Sequence, residues 1–311
     1  MVVTLLAIVQ VKADPPMLLL ERFLPGGGWA ELILIGCYGA LVAYHMQDPS
    51  RVQRWRKHSW FAFSVVFFTQ LLLGLTADQR FLMTGKLHLP VPMMILAGPL
   101  YRGHLSVMSL LFVSTLLLSG PAWCSHLCYF GALDSMAAGR RKRPEAIRNK
   151  WVLKLSVLFM VIAAALILRR MQVPAAAATL LAGGFGVVGL GVIVWISRRR
   201  GSMVHCSAYC PLGTVVNLTR FIHPFRLTID SGTCSKCMAC TTSCNYDALN
   251  PAHINQGKPG ATCTLCGDCI TTCHSDSLRY RFLTLKPHQA RSLYLFITIS
   301  LHASTLALAR I

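Results

Sequence analysis

The sequence predicts a mainly α-helical protein. It reads as a polytopic transmembrane helical bundle of about six spans with one small module of different composition set into it. Three observations predict this. Of the 311 residues, 54% are hydrophobic and only 13% are charged, about half the charged share of a soluble domain. Six apolar runs recur along the chain, each near the ~20 residues a bilayer-spanning helix requires. Thirteen cysteines are present, and eight of them fall in one segment where the apolar runs stop. Together these exclude a disordered chain, a soluble enzyme and a small disulfide-stapled secreted domain.

Residues 1–28 form an N-terminal segment expected outside the cytoplasm. Its apolar start, followed by Val11-Lys12-Ala13, resembles a signal-peptide core and cleavage site but lacks the basic opening such a peptide needs. Residues 29–220 form the membrane domain, with spans expected at 29–46, 58–76, 104–120, 151–168 and 177–196. Lys154 lies inside the fourth and is expected to snorkel to the interface. Residues 87–101 are apolar but broken by Pro90, Pro92, Gly98 and Pro99, so an outer, interfacial or re-entrant loop is expected rather than a span. Residues 221–290 are the cysteine-rich module. Residues 291–311 carry a sixth span over 292–309, rich in Ser and Thr.

Lys and Arg placement sets the orientation. Thirteen basic residues fall on the side of connections 47–57 and 121–150 and of the Arg198–Arg200 triplet, against eight on the other. The first side is expected in the cytoplasm, with both termini outside, in the inner membrane. The formal charge of +19 reads as attraction to membrane lipid. The basic residues sit beside apolar spans and are not interleaved with aromatics, so no nucleic-acid partner is expected.

In the module, Cys234, Cys237, Cys240 and Cys244 read C-x2-C-x2-C-x3-C. Cys263, Cys266, Cys269 and Cys273 repeat the spacing 29 residues later, with Asp247 and Asp276 at matching offsets. This is an internal duplication. Such spacing wraps a tight loop whose thiolates converge, and in bacterial two-cluster ferredoxins the fourth ligand comes from the other block. Two [4Fe–4S] clusters are therefore expected. The first would use Cys234, Cys237, Cys240 and Cys273, and the second Cys263, Cys266, Cys269 and Cys244. Zinc fits the doubled pattern poorly. Asn245 and His274 stand where Pro usually follows the fourth cysteine. Each oxidised cluster with its ligands carries about two negative charges, which reduces the formal basic excess.

Two further pairs follow spans directly. Cys124-Ser-His-Leu-Cys128 comes after the third span and Cys206-Ser-Ala-Tyr-Cys210 after the fifth. Cysteines four apart share a helical face, so two such helix ends could bring four thiols together. Three readings stay open: a third iron–sulfur cluster, redox-active thiols, or unrelated buried cysteines. Cys37, alone in the first span, is expected to pack in the core. Gly184-Phe-Gly186-Val-Val-Gly189 matches a dinucleotide-binding string, yet no strand precedes it, and close helix packing explains it better. His45, His58, His104 and His302 offer no convincing haem pair, although His104 or His302 could stand near a quinone head group.

Spans followed by two C-x3-C motifs and a two-cluster ferredoxin segment resemble the ferredoxin-type membrane proteins of the NapH and MauN kind. The resemblance covers roughly residues 58–285. Cys206-Ser-Ala-Tyr-Cys210-Pro211-Leu-Gly213 matches the family's C-x3-C-P pattern, and the first motif has Tyr129 where Pro is usual. The resemblance implies quinol-linked electron transfer, usually within a larger complex. The expected function is an electron-transfer subunit passing electrons between the quinone pool and a partner redox protein. Copper reduction or cofactor assembly for a respiratory enzyme is the alternative, and a membrane redox sensor is a weaker third. No catalytic residue is assigned, and the substrate chemistry is expected in a partner.

Overall fold

The computed structural model describes residues 1–82, 89–141 and 143–308. Lys86, Lys142 and Arg310, which entered the charge bias, and part of the 87–101 loop lie outside the described residues. Among the described residues, six helices are long and apolar enough to cross a membrane. They are Gly27–Gln47, Val52–Thr76, Met108–Leu127, Lys150–Arg170, Ala175–Arg200 and Pro287–Leu308. They fall on the six expected spans. The chain divides into two compact units, Met1–Pro90 with Ser292–Ile311, and Val91–Arg291.

In the first unit, the helix Val2–Lys12 and the short helix Leu19–Phe23 pack on Gly27–Gln47, with Leu6, Leu18 and Leu32 in one core cluster that Ala307 of Pro287–Leu308 joins. The Glu21 carboxylate accepts from the Gly26 and Gly28 N–H groups at 3.0 and 2.9 Å, meeting donors that a helix start leaves open. Tyr38 Oη and His302 Nε2 are 3.0 Å apart, and the His302 ring lies 5.5 Å from that of Phe63. His302 is thus tied into the bundle core. The helix from Val52 begins earlier than the expected span, so Arg54, Arg56 and Lys57 are helical rather than part of a connection. Arg56 is buried, its guanidinium 5.2 Å from the Trp60 ring centre. Cys37 corrects an expectation: it is exposed on the outside of its helix, not packed in the core.

The second unit holds the cysteines of both motif types. Pro90 and Pro92 keep the chain from continuing as helix until Met94, and the segment expected as a loop then forms the helix Met94–Arg102. Tyr101 Oη donates to Val173 O at 2.6 Å. The Gly184–Gly189 string lies within the helix Ala175–Gly191, with Gly186 against Val91 and Gly189 against the His205 ring.

The cysteine-rich module is closed by two antiparallel strands, Phe225–Ile229 and Leu278–Phe282, with Leu227 opposite Tyr280 and Ile229 opposite Leu278. Both sequences alternate apolar and polar residues with the two-residue strand period. Phe225, Leu227 and Ile229 therefore turn inward with Leu278 and Tyr280. The pairing joins the chain just before the first cysteine block to the chain just after the second. Asp247 anchors the module on the helix Lys150–Arg170. Its Oδ2 pairs with Lys150 Nζ at 2.8 Å and accepts from Ile147 N at 3.1 Å, with only 12% and 17% of the Asp247 and Lys150 side chains exposed.

Asp247 has φ 51°, a left-handed conformation that Asn tolerates well. Asp247→Asn therefore isolates the ion pair and should lower stability by about 1–3 kcal/mol. Asp247→Ala, which adds strain, should lower it further. Thermal unfolding of the detergent-solubilised chain orders the three proteins.

Candidate metal centres

The duplicated blocks fold alike. Lys236 and Met238 in the first, and Leu265 and Gly267 in the second, take positive φ at equivalent positions, as do Asp247 and Asp276. Thr241 N bonds Met238 O at 3.1 Å, and Ile270 N bonds Gly267 O at 3.0 Å. These left-handed steps bend each C-x2-C-x2-C run into a tight loop. Gly267 adopts φ 80° without strain, whereas Met238 accepts φ 62° as a side-chain-bearing residue. The blocks meet at Ser243 and Thr272, equivalent residues whose hydroxyls are 3.1 Å apart.

Two cavities result. One is lined by Cys234, Cys237, Cys240 and Cys273, with Ile229 and Leu278 among its other walls. The other is lined by Cys244, Cys263, Cys266 and Cys269, with Leu227 and Tyr246. The structure thus gathers three cysteines of one block with the fourth of the other, twice. Cys237 is exposed, while Cys263 and Cys269 are buried. Ala248 N donates to Cys244 Sγ at 3.3 Å. The Ala239 N–H holds the Cys237 thiol below its ordinary value. Burial pushes the Cys244, Cys263 and Cys269 thiols up.

The C-x3-C pairs also share one local structure. Each first cysteine lies in a π turn, Trp123–Leu127 or His205–Tyr209. Each second cysteine is extended, with φ, ψ of −87°, 118° at Cys128 and −74°, 118° at Cys210, and stands before a new helix, Tyr129–Ala138 or Pro211–Thr219. The cysteines therefore do not share a regular helical face, as their spacing suggested. The wider π turn and the break after it turn both thiols to one side. Pro211 fits its first-turn position and favours the extended Cys210 before it. Tyr129 allows the same geometry without that constraint.

The four thiols converge, since all pairs among Cys124, Cys128, Cys206 and Cys210 are within electrostatic reach. All four are buried. Burial pushes the Cys128 thiol up to about 12, opposed by the Phe130 and Gly131 N–H groups. Burial likewise raises Cys210, opposed by the equivalent Leu212 and Gly213 N–H groups. A Cβ at Gly213 would stand 2.8 Å from Cys206 O, so the close return of this turn requires glycine.

Five residues that sequence reasoning did not assign to the site frame it. Asp134 is buried, and its Oδ2 accepts from Cys206 N at 2.9 Å; burial raises its carboxyl to about 6. Ser125 and Ser207 each follow the first cysteine of a motif. Ser125 Oγ donates to Thr264 O at 3.1 Å and Ser207 Oγ to Tyr246 O at 3.5 Å. Tyr246 Oη in turn donates to Cys124 O at 3.2 Å. The repeated Cys-Ser dipeptide was the available signal for the serines. Lys154 corrects the snorkelling expectation: it is fully buried, and its Nζ donates to Cys206 O at 3.3 Å.

Among the described residues, no three His, Cys, Asp or Glu side chains are grouped to hold a single metal ion. A cubic cluster makes a different demand, one thiolate at each of four separate iron corners. Four cysteines around each cavity, with N–H groups directed at sulfur, suit that demand.

The model of the 4Fe-4S binding domain family matches residues 103–146 and 182–229. The first segment contains Cys124 and Cys128, the second Cys206 and Cys210. No curated protein and no solved structure matches the chain. The matched domain and the six apolar helices make this a membrane iron–sulfur protein.

In cluster-free protein that has kept its fold, alkylation follows thiolate population and exposure. Cys237, exposed and held low, should react first and at the lowest pH. Cys128, Cys206 and Cys210, buried and raised, should react only after denaturation. Mass spectrometry of iodoacetamide-treated protein across a pH series reads this order.

Proposed function

We propose that the protein is an electron-transfer subunit that passes single electrons between the membrane quinone pool and a partner redox protein. On this reading Cys234, Cys237, Cys240 and Cys273 hold one [4Fe–4S] cluster, and Cys263, Cys266, Cys269 and Cys244 hold a second. Cys124, Cys128, Cys206 and Cys210 hold a third. Such clusters supply one-electron transfer when bound.

The observation that carries the reading is the serial order of three four-cysteine sets. The membrane-edge set is joined by Ser125, Ser207 and Tyr246 to the walls of the Cys244 set. That set meets the Cys234 set across Ser243 and Thr272. Exposure rises along the series, from four buried cysteines at the membrane edge to exposed Cys237 at the far end. The buried end keeps water from its thiols, and the exposed end leaves an edge for a soluble or subunit partner.

The likeness to the NapH and MauN kind supports quinol as the membrane-side reactant. The Lys and Arg bias supports a cytoplasmic position for the cysteine module. The family match on both C-x3-C segments supports a cluster there rather than inert cysteines.

Iron and acid-labile sulfide analysis tests the reading on anaerobically purified full chain. About twelve irons are expected in the wild type and about eight after replacement of Cys124, Cys128, Cys206 and Cys210 by Ser, at four per cluster. Electron paramagnetic resonance should show a signal lost with them, and a quinol analogue should reduce the wild-type protein within its complex. Eight irons in both proteins would move the membrane-edge cysteines to thiol redox or metal handling. Failure of quinol reduction would remove the quinone assignment.

A further inference from the structure

Lys154 lies in an apolar helix with none of its side chain exposed. It stands one turn inside the helix end, where a lysine kept for packing would extend its ammonium to the interface. Its ammonium instead turns into the cysteine site. Nζ donates to Cys206 O at 3.3 Å. Asn217 Oδ1 accepts from it at 2.9 Å when the Asn217 amide is assigned by hydrogen-bond complementarity, the amide nitrogen then donating to Gly213 O at 3.2 Å. Both acceptors are neutral and both lie on the second C-x3-C turn or the helix that follows it. Cys124, Cys206 and Cys210 are within electrostatic reach of the ammonium.

An ammonium buried among neutral groups is unfavourable. A cluster on the four thiolates would carry about two negative charges, and about three once reduced by one electron. A fixed positive charge stabilises the more negative state further. We infer that Lys154 is the built-in counter-charge of the membrane-edge cysteine set and raises the reduction potential of the cluster held there. It is a positioning and tuning residue, touching the cysteine backbone and no reactant. Asn217 aims the ammonium, and Gly213 fixes Asn217. Asp134 acts on the same cysteines with the opposite sign, and it is retained in every variant below, so the comparisons isolate the ammonium. The inference rests on the third cluster proposed above.

The test is a redox titration of the full chain followed by electron paramagnetic resonance, with iron content measured in parallel. Wild type is compared with Lys154→Met, Lys154→Gln and Lys154→Arg. Lys154→Met should lower the reduced-to-oxidised ratio of the membrane-edge cluster about tenfold at a given potential, a shift of about 59 mV for one electron. Lys154→Arg should stay close to wild type, and the two other clusters should not move. Loss of only the third cluster in the Met and Gln variants, with Arg retaining it, would equally support a required charge. An unchanged potential in Lys154→Met overturns the inference while leaving the third cluster in place. So does an Arg variant that shifts or loses the cluster as Met does, since packing would then explain both. Wild type with only two clusters overturns the third cluster and the role of Lys154 together.

Discussion

The hydrogen bond from Tyr246 Oη to Cys124 O, 3.2 Å long between buried groups, is the contact on which the cysteine arrangement depends. Tyr246 lies two residues after Cys244 and lines that cysteine's cavity, so one side chain touches two four-cysteine sets. Ser125 and Ser207 bind the same module in the opposite sense, each donating from a C-x3-C motif to a carbonyl of the module. Each such bond contributes only about 1 kcal/mol net, but leaving one buried partner unmet costs about 1–3 kcal/mol. The seat is therefore specific: a shifted module would strand several buried groups at once. Met203 N bonding Asn245 O at 2.8 Å adds a backbone link in the same place.

Repetition explains why so much geometry comes from so few residue types. The 29-residue duplication reproduces the left-handed steps, and the paired π turns reproduce extended Cys128 and Cys210. The copies diverge where their surroundings do. Asp247 is ion-paired with Lys150, while its counterpart Asp276 is exposed. Asp134 follows Cys128 by six residues and is matched after Cys210 by Val216, so the carboxylate that receives Cys206 N is present once. Likewise Asn217, which holds Lys154, is matched by Ser135. Both asymmetric polar groups act on the second motif, at Cys206.

The sequence made the six spans legible because length and hydropathy suffice for a helix in a bilayer. Cysteine spacing made the two module cavities legible because tight loops leave few ways to converge thiols. What stayed hidden depends on partners distant in sequence. Nothing in Trp123–Leu127 or His205–Tyr209 distinguishes a π turn from an ordinary helix end, and the four-residue spacing pointed to the ordinary one. A hydropathy window penalises charge and so places Arg56 in a connection, whereas in the structure its guanidinium lies over Trp60. Cys37, alone in the first apolar run, reads as core packing, yet an outward cysteine is tolerated on an apolar surface. The two strands were too short and too close to the cysteine blocks to stand out.

Lys154 shows the same limit and also what it conceals. A lysine one turn inside a span has two ways to satisfy its charge: extension to the interface, or a partner within the protein. Local sequence contains only the first. The second needs Asn217, 63 residues later, and cysteines from both motifs. Formal charge hides it too, because +19 counts every thiol as neutral. On the proposed third cluster, the ligand thiolates would be the buried anions that face a lysine with no carboxylate beside it. Part of the basic excess read as membrane-surface charge is buried instead, at Arg56 and at Lys154 against Cys206.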